Sequence, residues 1–218
     1  MQIKPQLLTL YAVTDRGCLD GITLEEAVKE ALKGGATLVQ LREKDMPLQD
    51  FIEEAKAIKR VTDAYGVPLI INDNIEVCLA CDAAGVHVGQ SDMPAQEVRR
   101  LLGADKIIGV TAKTREQALC AQKQGADYLG SGAIFGSATK LDTKKMSLET
   151  LDAICGSVSI PVAAIGGICE ENVWQLKGHH MSGAAVVSGL FKTADIAASA
   201  RALKAAMAEI CGYTYETK

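Results

Sequence analysis

The sequence predicts a single (β/α)8 TIM barrel of the α/β class, with residues 1–218 forming one domain. Three observations predict it. Eight short β-rich runs recur along the chain, helical stretches lie between most of them, and no Pro/Ser linker or low-complexity tract interrupts the series. A length of 218 residues matches one such barrel. A doubly wound open sheet is the alternative. The barrel makes the sharper demand, because its functional residues belong at the C-terminal ends of strands.

The runs, in order, are LLTLYAV (7–13), TLVQLR (37–42), VPLII (67–71), GVHVG (85–89), KIIGV (106–110), DYLGSG (127–132), IPVAAI (160–165) and AAVVSG (184–189). In GITLEEAVKEALKGG, Thr23 with Glu26 forms a capping-box pattern, and Leu24, Val28, Ala31 and Leu32 recur at helical spacing. LQDFIEEAKAIKRVTDAYG puts Phe51, Ala55, Ile58 and Val61 on one face and ends at Gly66. Thr114 and Gln117 repeat the capping box before AQKQG, and DIAASARALKAAMAEI forms the last helix. GGAT at 34, AAGV at 83, QGAD at 124 and SGAA at 182 read as helix ends where glycine turns left-handed before a strand.

Composition narrows the function classes. Hydrophobic residues make up 48% and aromatics 4%, which suits a large aliphatic core. A net charge of −4 without a dense Lys/Arg run argues against nucleic acid. No stretch approaches the ~20 apolar residues of a membrane span. MQIKPQLLTLYAVTDRG reaches Asp15 and Arg16 too soon for a signal peptide, and seven scattered cysteines read as reduced thiols, so a cytoplasmic setting is expected.

Polar residues cluster where strands end. In TLVQLREKD, a period of two puts Gln40, Arg42 and Lys44 on one face, expected to be the lumen, and Val39, Leu41 and Glu43 on the other. Two cations and an amide make a receptor for a polyanion, although a salt-bridged structural Arg is the plainer reading of Arg42. Asp73 ends strand three and Asp92 follows strand four. Two carboxylates with few His or Cys nearby favour Mg2+ shared with a substrate phosphate. Asp73 also reads as a helix N-cap, and Asp92 as a turn residue before Met93-Pro94. GSGAIFGSATKLD after strand six is a generic phosphate-binding loop carrying Ser137, Thr139 and Lys140. Gly166-Gly167 and Ser188-Gly189 follow strands seven and eight, where barrels often cradle phosphate on backbone N–H groups, and a side chain at 167 is expected to crowd its oxygens. His87 reads as a hydrogen-bonded core residue, and Cys78/Cys81 as small buried side chains in a helix.

QLREK (40–44), IND (71–73), VHVGQSD (86–92), GVTAKT (109–114), GSGAIFGSATK (130–140), AIGGI (164–168) and VVSG (186–189) together resemble the thiamine-phosphate synthase family. The likeness runs from about Leu10 to Phe191. It implies a transferase, a thiamine-phosphate diphosphorylase, that joins hydroxymethylpyrimidine diphosphate to a thiazole phosphate and releases pyrophosphate. By the same resemblance Gln40, Leu41, Arg42, Glu43, Lys44, Asn72, Thr111 and Lys140 hold the pyrimidine diphosphate. Ser137, Ala138, Thr139, Gly167, Val187 and Ser188 hold the thiazole phosphate, and Asp73 with Asp92 binds Mg2+. Arg42, Lys44, Lys140 and Thr111 are the implied catalytic set, and Asn74 is left to cap the next helix. The implied partners are small molecules, with no nucleic acid or membrane and with homo-oligomerisation left open. Thr111 stands where the family commonly has Ser, Lys113 where it has His, Ala133 and Gly136 where it has Pro, and Ser137 where it has Thr. The hydroxyls survive these changes, while the loop loses rigidity. A tautomerase-like barrel, or a non-catalytic phosphate-metabolite regulator, is the alternative function.

Overall fold

The computed structural model describes residues 3–136 and 145–214. Its strands are β1 (Leu10–Val13), β2 (Leu38–Leu41), β3 (Leu69–Asn72), β4 (Gly85–Val88), β5 (Ile107–Thr111), β6 (Tyr128–Gly132), β7 (Val162–Ile165) and β8 (Gly183–Val186). They close into one parallel barrel in chain order, with β8 pairing back onto β1 through Leu10↔Ala184 and Ala12↔Val186. The open-sheet alternative is thereby excluded.

The helices are α1 (Leu24–Lys33), α2 (Leu48–Ala64), α3 (Ile75–Ala80), α4 (Ala95–Leu102), α5 (Arg115–Lys123), α6 (Leu148–Cys155), α7 (Ser188–Phe191) and α8 (Ile196–Ile210). A 3-10 turn, Val173–Leu176, replaces the helix between β7 and β8. The short α7 was not expected from the sequence. It takes over the end of the AAVVSG run, because β8 stops at Val186.

Strand alternation sorts the core into two layers. Val39, Leu41, Leu69, Ile71, Val86 and Ile108 pack outward against the helices, and Tyr11, Val13, Leu38, Ile70, Ile107 and Tyr128 fill the lumen. Each fully buried aliphatic side chain removes enough apolar surface from water to stabilise the fold by about 1.5–3 kcal/mol. Ile3, and Leu8 at the end of the 3-10 turn Pro5–Leu8, plug the N-terminal end of the lumen.

The capping chemistry is local. Thr23 and Glu26 form the reciprocal box at α1, and Asn74 Oδ1 accepts from the Val77 N–H at α3. Thr114 caps α5, but Gln117 Oε1 accepts from the Lys113 N–H at 2.7 Å, so that box closes one residue upstream of the expected position. The glycine reading needs correction at two junctions. Gly35 and Gly125 have positive φ as expected, whereas Gly85 and Gly183 begin strands. A Cβ there would lie 1.9 Å from the Ile107 carbonyl oxygen or 1.8 Å from that of Leu8, so close backbone approach explains them. Asp82, with φ 52°, takes the left-handed position after α3.

Arg99 of α4 ties together loops at the N-terminal end of the barrel. Its guanidinium donates to the carbonyls of Gly103, Lys106 and Gly125 and to Asp127 Oδ2 at 2.6 Å. Asp127, 7% exposed, also accepts from the Ile108 N–H. Arg99→Ala leaves a buried carboxylate without its cation and is expected to cost about 3 kcal/mol by denaturant titration, with ligand affinity at the distant rim unchanged in the folded fraction.

Candidate active site

The C-terminal ends of the strands surround a cavity of about 480 Å3, within the range that holds small metabolites. Its wall includes Gln40, Arg42, Asn72, His87, Asp92, Thr111, Gly167, Val187 and Ser188. The closed strand order brings these positions together from distant parts of the sequence. β7 stands opposite β3, while β8 is only two strands from β2.

Lys44 departs from the expected lumen face. β2 ends at Leu41, so strand alternation no longer governs residue 44. Lys44 lines two open grooves outside the cavity, of about 650 and 550 Å3, one shared with Asn72 and Asp73 and the other with Asp15 and Arg42. The Leu41 side chain is fully buried between barrel and helices, which leaves only its backbone for a ligand. Glu43 pairs with Arg16 at 2.8 Å, and Arg16 also reaches Glu54. Burial pushes the Glu43 carboxyl up, against the pull of Arg16. This clip fastens the loop after β1 to the loop after β2.

Arg42 is ion-paired, as its plainer reading expects, and also faces the cavity. Its guanidinium lies 3.5 Å from the Asp15 carboxylate, its N–H donates to Thr14 Oγ1 at 3.0 Å, and it lines the cavity. The ion pair aims the cation as well as stabilising it.

At the β3 tip, Asn74 performs the capping, so a cap does not account for Asp73. Asp73 holds a left-handed φ of 62°, which costs an L-residue roughly 1 kcal/mol. Its N–H donates to the His87 carbonyl at 2.8 Å, and Asn72 Nδ2 donates to its Oδ2 at 2.6 Å. Asp92 does act as a turn residue, with Oδ2 accepting from the Gly89 N–H at 2.7 Å, and it also lines the cavity. Asp73 lines the outer groove beside Lys44 whereas Asp92 lines the cavity, so the two carboxylates sit on neighbouring strand ends without sharing one pocket. As hard oxygen donors they are of the type that suits an oxygen-preferring divalent cation whose remaining ligands come from a phosphate.

Across the rim, Gly166 and Gly167 have φ of 105° and 67°. A Cβ at Gly167 would first meet the Phe135–Gly136 backbone at 2.9–3.0 Å, so crowding falls on the neighbouring loop before any phosphate. Asn172 holds this turn, donating to the Gly167 carbonyl at 2.8 Å and accepting from the Cys169 N–H at 2.9 Å. Ser188 opens α7 at the cavity wall. Ser137, Ala138, Thr139 and Lys140 lie outside the described residues.

The lesser candidates fall as expected. His87 is 8% exposed, with both ring nitrogens hydrogen-bonded. Cys78 and Cys81 are buried in and beside α3, and burial pushes the Cys78 thiol up to about 12, away from metal-binding thiolate character. Gln90, Lys113 and Gln117 also line the cavity. Gln90, whose Nε2 donates to the Thr111 carbonyl at 2.6 Å, sits within the GQSD turn, and that turn was the one available signal for it.

A closed barrel whose mouth gathers Arg42, Lys113, Asp92 and a glycine turn around one cavity has the form of an enzyme for small anionic metabolites. The family model for thiamine monophosphate synthase matches residues 10–190. The thiamine-phosphate synthase of Ruminiclostridium cellulolyticum is 54% identical over 195 residues, covering 89% of this chain and 93% of that protein. That of Clostridium tetani is 49% identical over 208 residues, covering 95% and 96%. The thiamine phosphate pyrophosphorylase structure from Pyrococcus furiosus superposes with a TM-score of 0.87 at 36% identity, covering 94% of this chain and 98% of that one. The chain belongs to the thiamine-phosphate synthase family, transferases that join hydroxymethylpyrimidine diphosphate to thiazole phosphate. No described helix is long and apolar enough to cross a membrane.

The strained backbone at Asp73 yields a test. Asp73→Gly is expected to melt at or slightly above the wild-type temperature, because glycine adopts φ 62° freely, while thiamine phosphate formation falls by orders of magnitude. Calorimetric melting alongside a turnover assay checks both halves.

Proposed function

We propose that this barrel, acting as one domain in the cytoplasm, forms thiamine phosphate with its two substrates held side by side at the C-terminal rim. One observation carries the proposal. Arg42, Asp92, Gly167 and Ser188 line a single cavity, so a diphosphate site and a monophosphate site open onto one space. Arg42, with Lys44 on the adjoining groove that Arg42 also lines and with Lys140, holds the diphosphate, and Gln40, Asn72 and Thr111 hold the pyrimidine ring. Leu41 contributes through its backbone alone, and Glu43 acts by fixing its loop. Gly167, Val187 and Ser188, with Ser137 to Thr139, hold the thiazole phosphate.

The chemistry suits a site of this kind. The methylene carbon on an aminopyrimidine loses diphosphate with cation character, and the thiazole nitrogen is already nucleophilic. The residues therefore hold two substrates in line and stabilise charge growing on the leaving group, and no nucleophilic triad is required. Asp73 and Asp92 would hold Mg2+, which supplies Lewis-acid neutralisation of the diphosphate when bound. A tautomerase-like or regulatory role would leave the costly backbone of Asp73 without a purpose.

Mixing the two substrates with Mg2+ is expected to yield thiamine phosphate and pyrophosphate, and EDTA is expected to abolish the reaction. Asp92→Asn keeps an oxygen for the Gly89 N–H, so the fold persists while kcat drops on the order of 10²-fold. Undiminished activity in EDTA would exclude the metal role. Lys140→Ala is expected to lower kcat far more than it raises KM for thiazole phosphate. A change confined to that KM would move Lys140 to the other subsite.

A further inference from the structure

Under the cavity, a continuous row of hydrogen bonds crosses the lumen from β2 to β5. Gln40 Nε2 donates to the Tyr11 hydroxyl, and the Tyr11 and Tyr128 hydroxyls lie 2.6 Å apart. The Tyr128 hydroxyl is 3.1 Å from His87 Nδ1, and His87 Nε2 is 2.9 Å from Thr111 Oγ1. Gln40, Tyr11, Tyr128 and His87 are all buried. β5 is shaped around the row: a Cβ on Gly109 would lie 2.1 Å from Tyr128 Cζ and 2.5 Å from His87 Nδ1.

Such a row has a direction, since each hydroxyl carries one proton. A carboxamide nitrogen can only donate. With the Gln40 amide nitrogen toward Tyr11, the arrangement in which every proton finds an acceptor has Tyr11 donating to Tyr128 and Tyr128 donating to His87 Nδ1. An accepting Nδ1 is bare, so the ring proton sits on Nε2 and points at the Thr111 oxygen. The Thr111 proton is then the one turned toward the cavity. Burial pushes both tyrosine hydroxyls well above their ordinary range, which keeps both protons in place.

We infer that this row sets the hydrogen-bond polarity of the cavity, presenting the Gln40 carbonyl oxygen as an acceptor and the Thr111 hydroxyl as a donor, and so selects an amino-substituted N-heterocycle over its oxo counterpart. The inference rests on the pyrimidine-diphosphate reading above. β2 and β5 are three strands apart around the barrel, so these two groups address a ring from different sides. A 4-aminopyrimidine matches them, because its exocyclic amine donates and the ring nitrogen para to that amine accepts. A 4-oxo ring puts a carbonyl against the Gln40 carbonyl, and both oxygens lose their partners. Tyr11, Tyr128 and His87 are positioning residues, acting through Gln40 and Thr111.

Nitrogen-15 NMR of histidine-labelled full-length protein without ligand tests the direction, with the His87→Asn spectrum identifying the His87 signals. The expected result is a proton on Nε2 and none on Nδ1 in wild type, with both tautomers populated in Tyr128→Phe. A proton on Nδ1 in wild type means that the row runs the other way, and it overturns the inference. A competition arm tests selectivity with the aminopyrimidine diphosphate and its 4-oxo analogue. Tyr11→Phe is expected to narrow the wild-type preference for the amino compound about tenfold while leaving KM for thiazole phosphate unchanged. An undiminished preference in a variant that melts like wild type also overturns it. If wild type binds neither pyrimidine, the functional proposal fails, and the NMR arm still decides the direction of the row.

Discussion

Each of the eight strands shares its backbone hydrogen bonds with two parallel neighbours, β8 and β1 included, and the remaining features of the molecule depend on that closure. Parallel pairing sends every strand tip to the same rim. A residue within a few positions of a strand end is therefore carried toward a shared mouth, whatever its distance along the chain. Arg42, Asp92, Gly167 and Ser188 meet for this reason. The N-terminal rim carries the opposite assignment. There Arg99 gathers loop carbonyls and a buried carboxylate, and the interactions serve cohesion.

The functional rim is held more tightly than its loops alone would suggest. Arg16 bridges Glu43 and Glu54, Asp15 sets Arg42, and Asn172 braces the Gly167 turn from both sides. Asp73 keeps a left-handed backbone fixed by its N–H bond to the His87 carbonyl. Such devices remove conformational freedom before a ligand arrives, so less binding energy is lost to ordering charged groups.

The two core layers answer different demands. Between barrel and helices the packing is aliphatic and needs only complementary volume. Inside the lumen, directly under the cavity, Tyr11, Tyr128, Gln40 and His87 bring polar atoms into a buried space and pair them with one another. Buried polar groups of this kind are costly when unpaired and rigid when satisfied. Rigidity and fixed donor–acceptor sense are what the floor of a binding site requires.

Local chemistry was legible in the residues themselves. The alternation of strand-like runs with helical stretches pointed to a barrel and left an open sheet as the alternative, while Thr23 with Glu26 determined the start of α1, because a cap depends on neighbours within four positions. The polar residues at strand ends marked the rim for the same reason. Tertiary structure alone decided the rest. Lys44 faces outer grooves because β2 ends before it, and Gly85 and Gly183 are glycines because another strand or the N-terminal plug passes too close for a side chain. Tyr11 and Tyr128, 117 positions apart, read as ordinary strand aromatics until closure of the barrel sets their hydroxyls 2.6 Å from each other. Which face of a strand is lumen follows from a period of two, but which side chains meet across it depends on curvature and register, and those exist only once the ring has closed.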